Sequence, residues 1–91
     1  MGTIKFYTVY VLWSSVYKRT YTGMTLNLKR RLAEHNSKIN KSTKAFAPWE
    51  LIYNERYANR KDARDREKYL KSGNGREFIK FVINRSRSST G

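Results

Sequence analysis

Ninety-one residues carry 20 Lys+Arg against 7 Asp+Glu, a formal net charge of +13, with 38% hydrophobic and 14% aromatic residues. That length excludes two ordinary domains, which take roughly 100–150 residues each, and the aromatic content excludes a chain unable to collapse. The charge points to a polyanionic partner, most simply nucleic acid, because neutralising phosphates releases condensed counterions. With no cysteine there is no disulfide framework, thiolate metal site or thiol nucleophile. No apolar run approaches the roughly 18 residues of a membrane span, and nothing near Met1 reads as a signal peptide. The expectation is therefore a cytoplasmic chain with no membrane partner and no small-molecule cofactor.

Lys5 to Trp13 is dense in aromatic and β-branched residues and predicts a strand. Residues 14–19 are polar enough for a hairpin connection, and Thr20 to Gly23 predicts a short second strand that Gly23 ends. Asn27 is a helix cap before a first helix over 28–35. Residues 36–48 read as a polar loop, and Trp49 to Tyr57 as a third strand. Asn59 with Asp62 resembles a capping pair for a second helix over about 60–72. Ser72-Gly73-Asn74-Gly75 breaks that helix, and a short final helix covers 76–84. The order β-β-α-β-α-α predicts a small α+β domain over residues 1–84, its sheet at least partly antiparallel and covered by helices on one or both faces. Residues 85–91 read as a basic, Ser-rich, flexible tail.

The informative places are polar residues where the periodicity demands burial. Leu28, Arg31, Leu32 and His35 follow the i, i+3, i+4, i+7 template, so Arg31 and His35 share a core-directed face. Arg31 either reaches into a site or snorkels its head outward, and His35 either joins that site or caps a helix end. In the second helix Ala63, Glu67 and Leu70 fall on one stripe, with Arg66 alongside. A carboxylate there is costly unless it is paired or holds a metal, and Arg31 is one possible ion-pair partner. Strand one alternates Phe6, Thr8, Tyr10, Leu12 against Tyr7, Val9, Val11, Trp13. Tyr10 and Tyr21 are suited to facing positions of a hairpin, or simply to packing with a satisfied hydroxyl. Trp13 and Trp49 are expected in the core.

Arg, His, Glu and Tyr on a basic surface suit phosphodiester chemistry. Arg grips phosphate oxygens with a planar fork. Glu ligates Mg²⁺ or Mn²⁺, which prefer oxygen ligands and stabilise leaving-group charge. Tyr or His can position or deprotonate water.

Thr8-Val9-Tyr10, then Tyr21-Thr22-Gly23, then Asn27-Leu28-Lys29-Arg30-Arg31 with His35, then Glu67, together resemble the GIY-YIG nuclease superfamily. The first signature triplet is degenerate, Thr-Val-Tyr in place of Gly-Ile-Tyr, and the second keeps Tyr21 and Gly23. Residues 71–79 are similar to the short, stand-alone bacterial branch, close to the excision-repair-nuclease-like group, and the resemblance covers roughly residues 5–84. It implies a three-stranded antiparallel sheet flanked by helices and a DNA endonuclease using one divalent ion, Mg²⁺ or Mn²⁺. It implies Glu67 as metal ligand, Arg31 steadying the scissile phosphate, and Tyr10, Tyr21 and His35 positioning or activating water. Asn74 is a further residue near the site, although Asn between two glycines suits a turn.

Three expectations compete. An endonuclease predicts metal-dependent cleavage lost in Arg31→Ala and Glu67→Ala. A non-catalytic nucleic-acid-binding module on the same fold predicts salt-sensitive binding alone. A small basic structural protein would leave the inward Arg31 and Glu67 without a use. DNA is the favoured substrate, and RNA remains compatible with every residue named. Lys18, Arg19, Lys29, Arg30, Lys38, Lys41 and Lys44 are candidate phosphate contacts outside the site, or else solvated surface.

Overall fold

The densest apolar run of the chain becomes the strand with the least exposure. In the computed structural model, which describes residues 5–37 and 43–87, β1 (Tyr7–Ser14) is buried at every position after Tyr7. It is the central strand of a three-stranded sheet ordered β2-β1-β3, with β2 at Arg19–Thr25 and β3 at Glu50–Tyr57. Both pairings are antiparallel. A central strand covered on both faces reads as a continuous apolar run rather than as an alternation, which is why Lys5–Trp13 stood out. The β1–β2 turn is closed by Lys18, whose φ of 56° is left-handed.

Asn27 caps α1 (Leu28–Asn36), its side chain accepting from the Arg30 N–H at 3.0 Å. Asn59 caps α2 (Arg60–Lys71) by accepting from the Asp62 N–H at 2.9 Å and donating to the Asp62 carboxylate at 3.0 Å. Both caps satisfy amide groups that a helix start leaves without a partner. The final helix, α3 (Gly73–Arg87), is longer than the expected 76–84 and begins inside the predicted break. Ser72 alone makes the corner. Its N–H bonds the Tyr69 carbonyl, and its Oγ accepts from Gly75 N–H at 3.3 Å. Gly75 permits the corner to be tight, because a Cβ there would lie 2.6 Å from the Leu70 carbonyl carbon. Asn74 therefore sits in an exposed first turn of α3 and not in a loop.

The alternation of β1 divides the core. Val9 and Val11 pack with Ala63, Leu70 and Ile79 of α2 and α3. Tyr10 and Leu12 pack with Trp49, and with Tyr21, Leu28 and Leu32 around them. Helices thus cover both faces, and Trp13 and Trp49 are buried as expected. Two boundaries differ from the sequence reading. Gly23 does not end β2, which continues to Thr25, and the segment 36–48 contains a 3₁₀ turn at Lys44–Phe46. Lys38 and Lys41 lie outside the described residues. No described helix is long and apolar enough to cross a membrane.

One network ties α2 to the sheet. The half-buried Glu55 carboxylate of β3 accepts both Arg66 Nε (3.0 Å) and Nη2 (3.1 Å), and the Tyr53 and Tyr57 hydroxyls donate to it as well. Burial pushes the Glu55 pKa up, but these donors outweigh burial and hold it below the usual carboxylate value. Arg66→Ala would leave this carboxylate without its bidentate partner. The expected cost is about 2 kcal/mol, a melting-temperature drop of roughly 10 °C, readable by circular dichroism.

Candidate functional site

The site is built where β1, β2 and α1 meet. Tyr10 lies directly opposite Gly23 in the β1–β2 pairing. A Cβ at Gly23 would stand 2.6 Å from Tyr10 Oη and 2.8 Å from Cζ, so the bare glycine backbone is the floor on which the Tyr10 ring lies. Gly23→Ala is expected to displace this ring and cost about 1–3 kcal/mol, as overpacking does. Perturbed Tyr10 and His35 side-chain signals by NMR would check it, and unchanged signals would refute it.

Tyr10 Oη is 3.1 Å from His35 Nε2, and His35 Nδ1 is 2.8 Å from Thr43 Oγ1, all buried. The segment carrying Thr43 is itself anchored. Trp49 Nε1–H donates to the Thr43 carbonyl at 3.0 Å, while the Asn36 side chain accepts from Trp49 N–H and donates to the Trp49 carbonyl at 3.0 Å. His35 is fully buried. Burial, reinforced by the like charge of Arg31, lowers its pKa and keeps the imidazole neutral. Burial chiefly, with Tyr21 beside it, pushes the Tyr10 pKa up to about 12, against the opposing pull of Arg31 and with a smaller push from Glu67.

Tyr21 and Tyr10 share a face diagonally, not directly across. Tyr21 pairs with Leu12, and the two rings are 6.2 Å apart. The Tyr21 ring sits 4.7 Å from the His35 ring. Arg31 is at the rim, its side chain a third exposed, where Nη1 meets the Glu34 carboxylate at 2.8 Å. Glu34 also accepts Arg30 Nε at 3.1 Å, so it holds two arginines of its own helix. The suggested Arg31–Glu67 ion pair is replaced by two local pairs, because i, i+3 and i, i+4 partners on one helix are reached without long extension. Glu67 pairs with Lys71 Nζ at 2.9 Å, and its side chain is only 16% exposed while that of Lys71 is 55% exposed. The stripe position of Glu67 is thus reflected in its burial.

Tyr10, Tyr21 and His35 therefore gather on the α1 side with Arg31 at their rim, and Glu67 stands on α2 paired with Lys71, which lines the same groove as Tyr21. Thr43 and Asn36 were missed by the sequence reading. Each lies in the segment read as a polar loop, and only the distance in space between His35, Thr43 and Trp49 gives them meaning.

Among the described residues no three His, Asp or Glu cluster to cage a cation. A lone carboxylate such as Glu67 fits Mg²⁺ or Mn²⁺ nonetheless, since such ions keep several waters and take one or two carboxylates plus substrate phosphates. The exposed Lys71 can release it at little cost.

An open groove of about 470 Å³ runs beside β2. Arg19, Tyr21, Phe46, Trp49, Lys71 and Arg76 are among the residues that line it. It touches both Tyr21 and the lysine that holds Glu67.

A family model described as the GIY-YIG catalytic domain matches residues 6–80, the span holding all five residues. The UPF0213 protein in the ldhD 5′ region of Pediococcus acidilactici is 38% identical over 79 residues, covering 82% of this chain and 79% of its own. A UPF0213 protein of Natronomonas pharaonis is 42% identical over 65 residues, covering 70% and 75%. The solution NMR structure of a UPF0213 protein from Bacillus halodurans is similar with a TM-score of 0.52 at 26% identity, covering 85% of this chain and 84% of that one.

Proposed function

Because the chain belongs to the GIY-YIG family, a nuclease superfamily, we propose that it is an endonuclease hydrolysing phosphodiester bonds in DNA with one divalent ion. The observation that carries this reading is the cluster at the α1 side of the sheet: Tyr10 Oη lies 3.1 Å from His35 Nε2 and the Tyr21 ring 4.7 Å from the His35 ring, with Arg31 at the rim.

Glu67 would hold the ion and Arg31 the scissile phosphate. Bound there, Mg²⁺ or Mn²⁺ would neutralise negative charge developing on the phosphate and leaving oxygen. The Arg31 guanidinium presents a planar fork at the rim, free to exchange Glu34 for phosphate oxygens. Its positive charge grows in value as the phosphate gains charge in the transition state. Tyr21, half-buried on the groove wall, orients the attacking water. Tyr10, with its pKa near 12, stays a neutral phenol. With the His35 Nδ1–H donating to Thr43 Oγ1, the Nε2 lone pair accepts a hydrogen bond from the Tyr10 hydroxyl, which fixes the direction of the phenol oxygen lone pairs that can accept from water. His35 is then a positioning residue behind Tyr10, since its burial keeps it from substrate.

The experiment is incubation with supercoiled plasmid and branched DNA, with and without Mn²⁺, beside Arg31→Ala and Glu67→Ala. Nicking that needs the ion and both side chains supports the reading. Salt-sensitive binding without cleavage on any substrate returns the protein to the binding-module alternative.

A further inference from the structure

The groove beside β2 carries a cluster that phosphate chemistry does not use. The Arg19 guanidinium lies 4.5 Å above the Phe46 ring centre, and Tyr17 meets Phe46 edge-on at 5.5 Å. Tyr17 is 50% exposed, next to an exposed Val16 in the hairpin turn. Arg19 and Phe46 line the groove, which also receives Lys71 and Arg76. A guanidinium already stacked on one ring offers its opposite plane to another flat group. Aromatic and Arg planes beside backbone-tracking cations are how single-stranded nucleic acid is held, because every base has a π-face while the cations meet the phosphates. A paired base inside a duplex has no free face to offer.

We infer that Tyr17, Arg19 and Phe46 form a stacking platform for an unpaired nucleobase, so the favoured ligand is a single-stranded or displaced stretch of DNA lying in this groove. Lys71 and Arg76 take its phosphates. The strand then leads past Tyr21 toward Glu67, and in this respect alone the inference rests on the endonuclease reading. Arg19 supplies more than charge, since a lysine there would keep the charge and lose the plane.

The test is equilibrium binding by fluorescence anisotropy in metal-free buffer, where no cleavage occurs. Three probes are compared: a labelled single strand, the same strand with abasic sites, and its full duplex. The single strand is expected to bind tighter than the duplex, and the abasic strand about tenfold more weakly than the intact one. Tyr17→Ala and Arg19→Lys, both at exposed positions and checked for folding by circular dichroism, should each lower the single-strand to duplex affinity ratio several-fold. Equal affinity for intact and abasic strands, or a ratio unmoved by Arg19→Lys, would overturn the platform. If this pattern holds while no DNA is cut under any metal condition, the platform stands and the endonuclease reading fails.

Discussion

Glu67→Ala is expected to lower metal-dependent nicking by about 10³-fold and Arg31→Ala by about 10²–10³-fold, with both proteins folded. The folding part follows from the pairings. Glu67 meets an exposed Lys71 four residues on, and Arg31 meets Glu34 three residues on, pairs that contribute only a few tenths of a kcal/mol. The activity part follows from charge. In the proposed roles each side chain would meet negative charge growing on a phosphate, and such interactions are worth most in the transition state. Arg31→Lys should recover little, because a point charge lacks the planar fork. Two readouts check the roles separately. Initial nicking rates report both residues, while a melting-temperature rise on adding Mn²⁺ should vanish in Glu67→Ala alone. Full nicking activity in either alanine variant rejects the assignment.

The second large effect is on stability and its pH dependence, through His35. Replacing it with alanine would empty a fully buried position and leave Tyr10 Oη and Thr43 Oγ1 without the partners seen at 3.1 and 2.8 Å. The expected loss is on the order of 3 kcal/mol, a large part of the total stability of a small domain. In the native protein the folded-state pKa of His35 lies below the unfolded value of 6.5. The unfolded chain therefore binds the proton first as pH falls. The contribution is fully present above about pH 6.5 and is lost as pH drops from there toward the lower folded value, at up to about 1.4 kcal/mol per pH unit. Below the folded pKa the slope from this residue disappears. Thermal melts between pH 8 and pH 4 on wild type and His35→Gln would show it, as the variant should lack the slope below about pH 6.5. Identical slopes would mean that His35 is not the buried neutral group described.

Much of the candidate site was legible from the chain because burial and helical period are local properties. Arg31 and His35 were found on the Leu28–Leu32 face, and the fully buried His35 confirms that direction. Glu67 was found on the Ala63–Leu70 stripe, and its low exposure has the same origin. What failed was pairing. Arg31 and Glu67 were reasonable partners by charge, yet each took a neighbour on its own helix, where little side-chain entropy is lost. The Tyr10–Tyr21 relation is off by two residues along the same face, since the β1–β2 pairing sets Gly23 opposite Tyr10 and Leu12 opposite Tyr21. Gly23 was noticed as a breaker but serves as the surface beneath a tyrosine ring.

Charge, strand and helix content, both Asn caps and the inward direction of His35 and Glu67 were already written in the order of the residues, because hydrophobic period and capping act over one to two turns. The Thr43–His35–Tyr10 chain, the Glu55–Arg66 tie and the groove joining Arg19 to Lys71 existed only once β1 was placed between β2 and β3. Each joins residues distant in sequence, and a hydrogen bond or stacked ring depends on ångström-scale distances that composition and spacing do not carry.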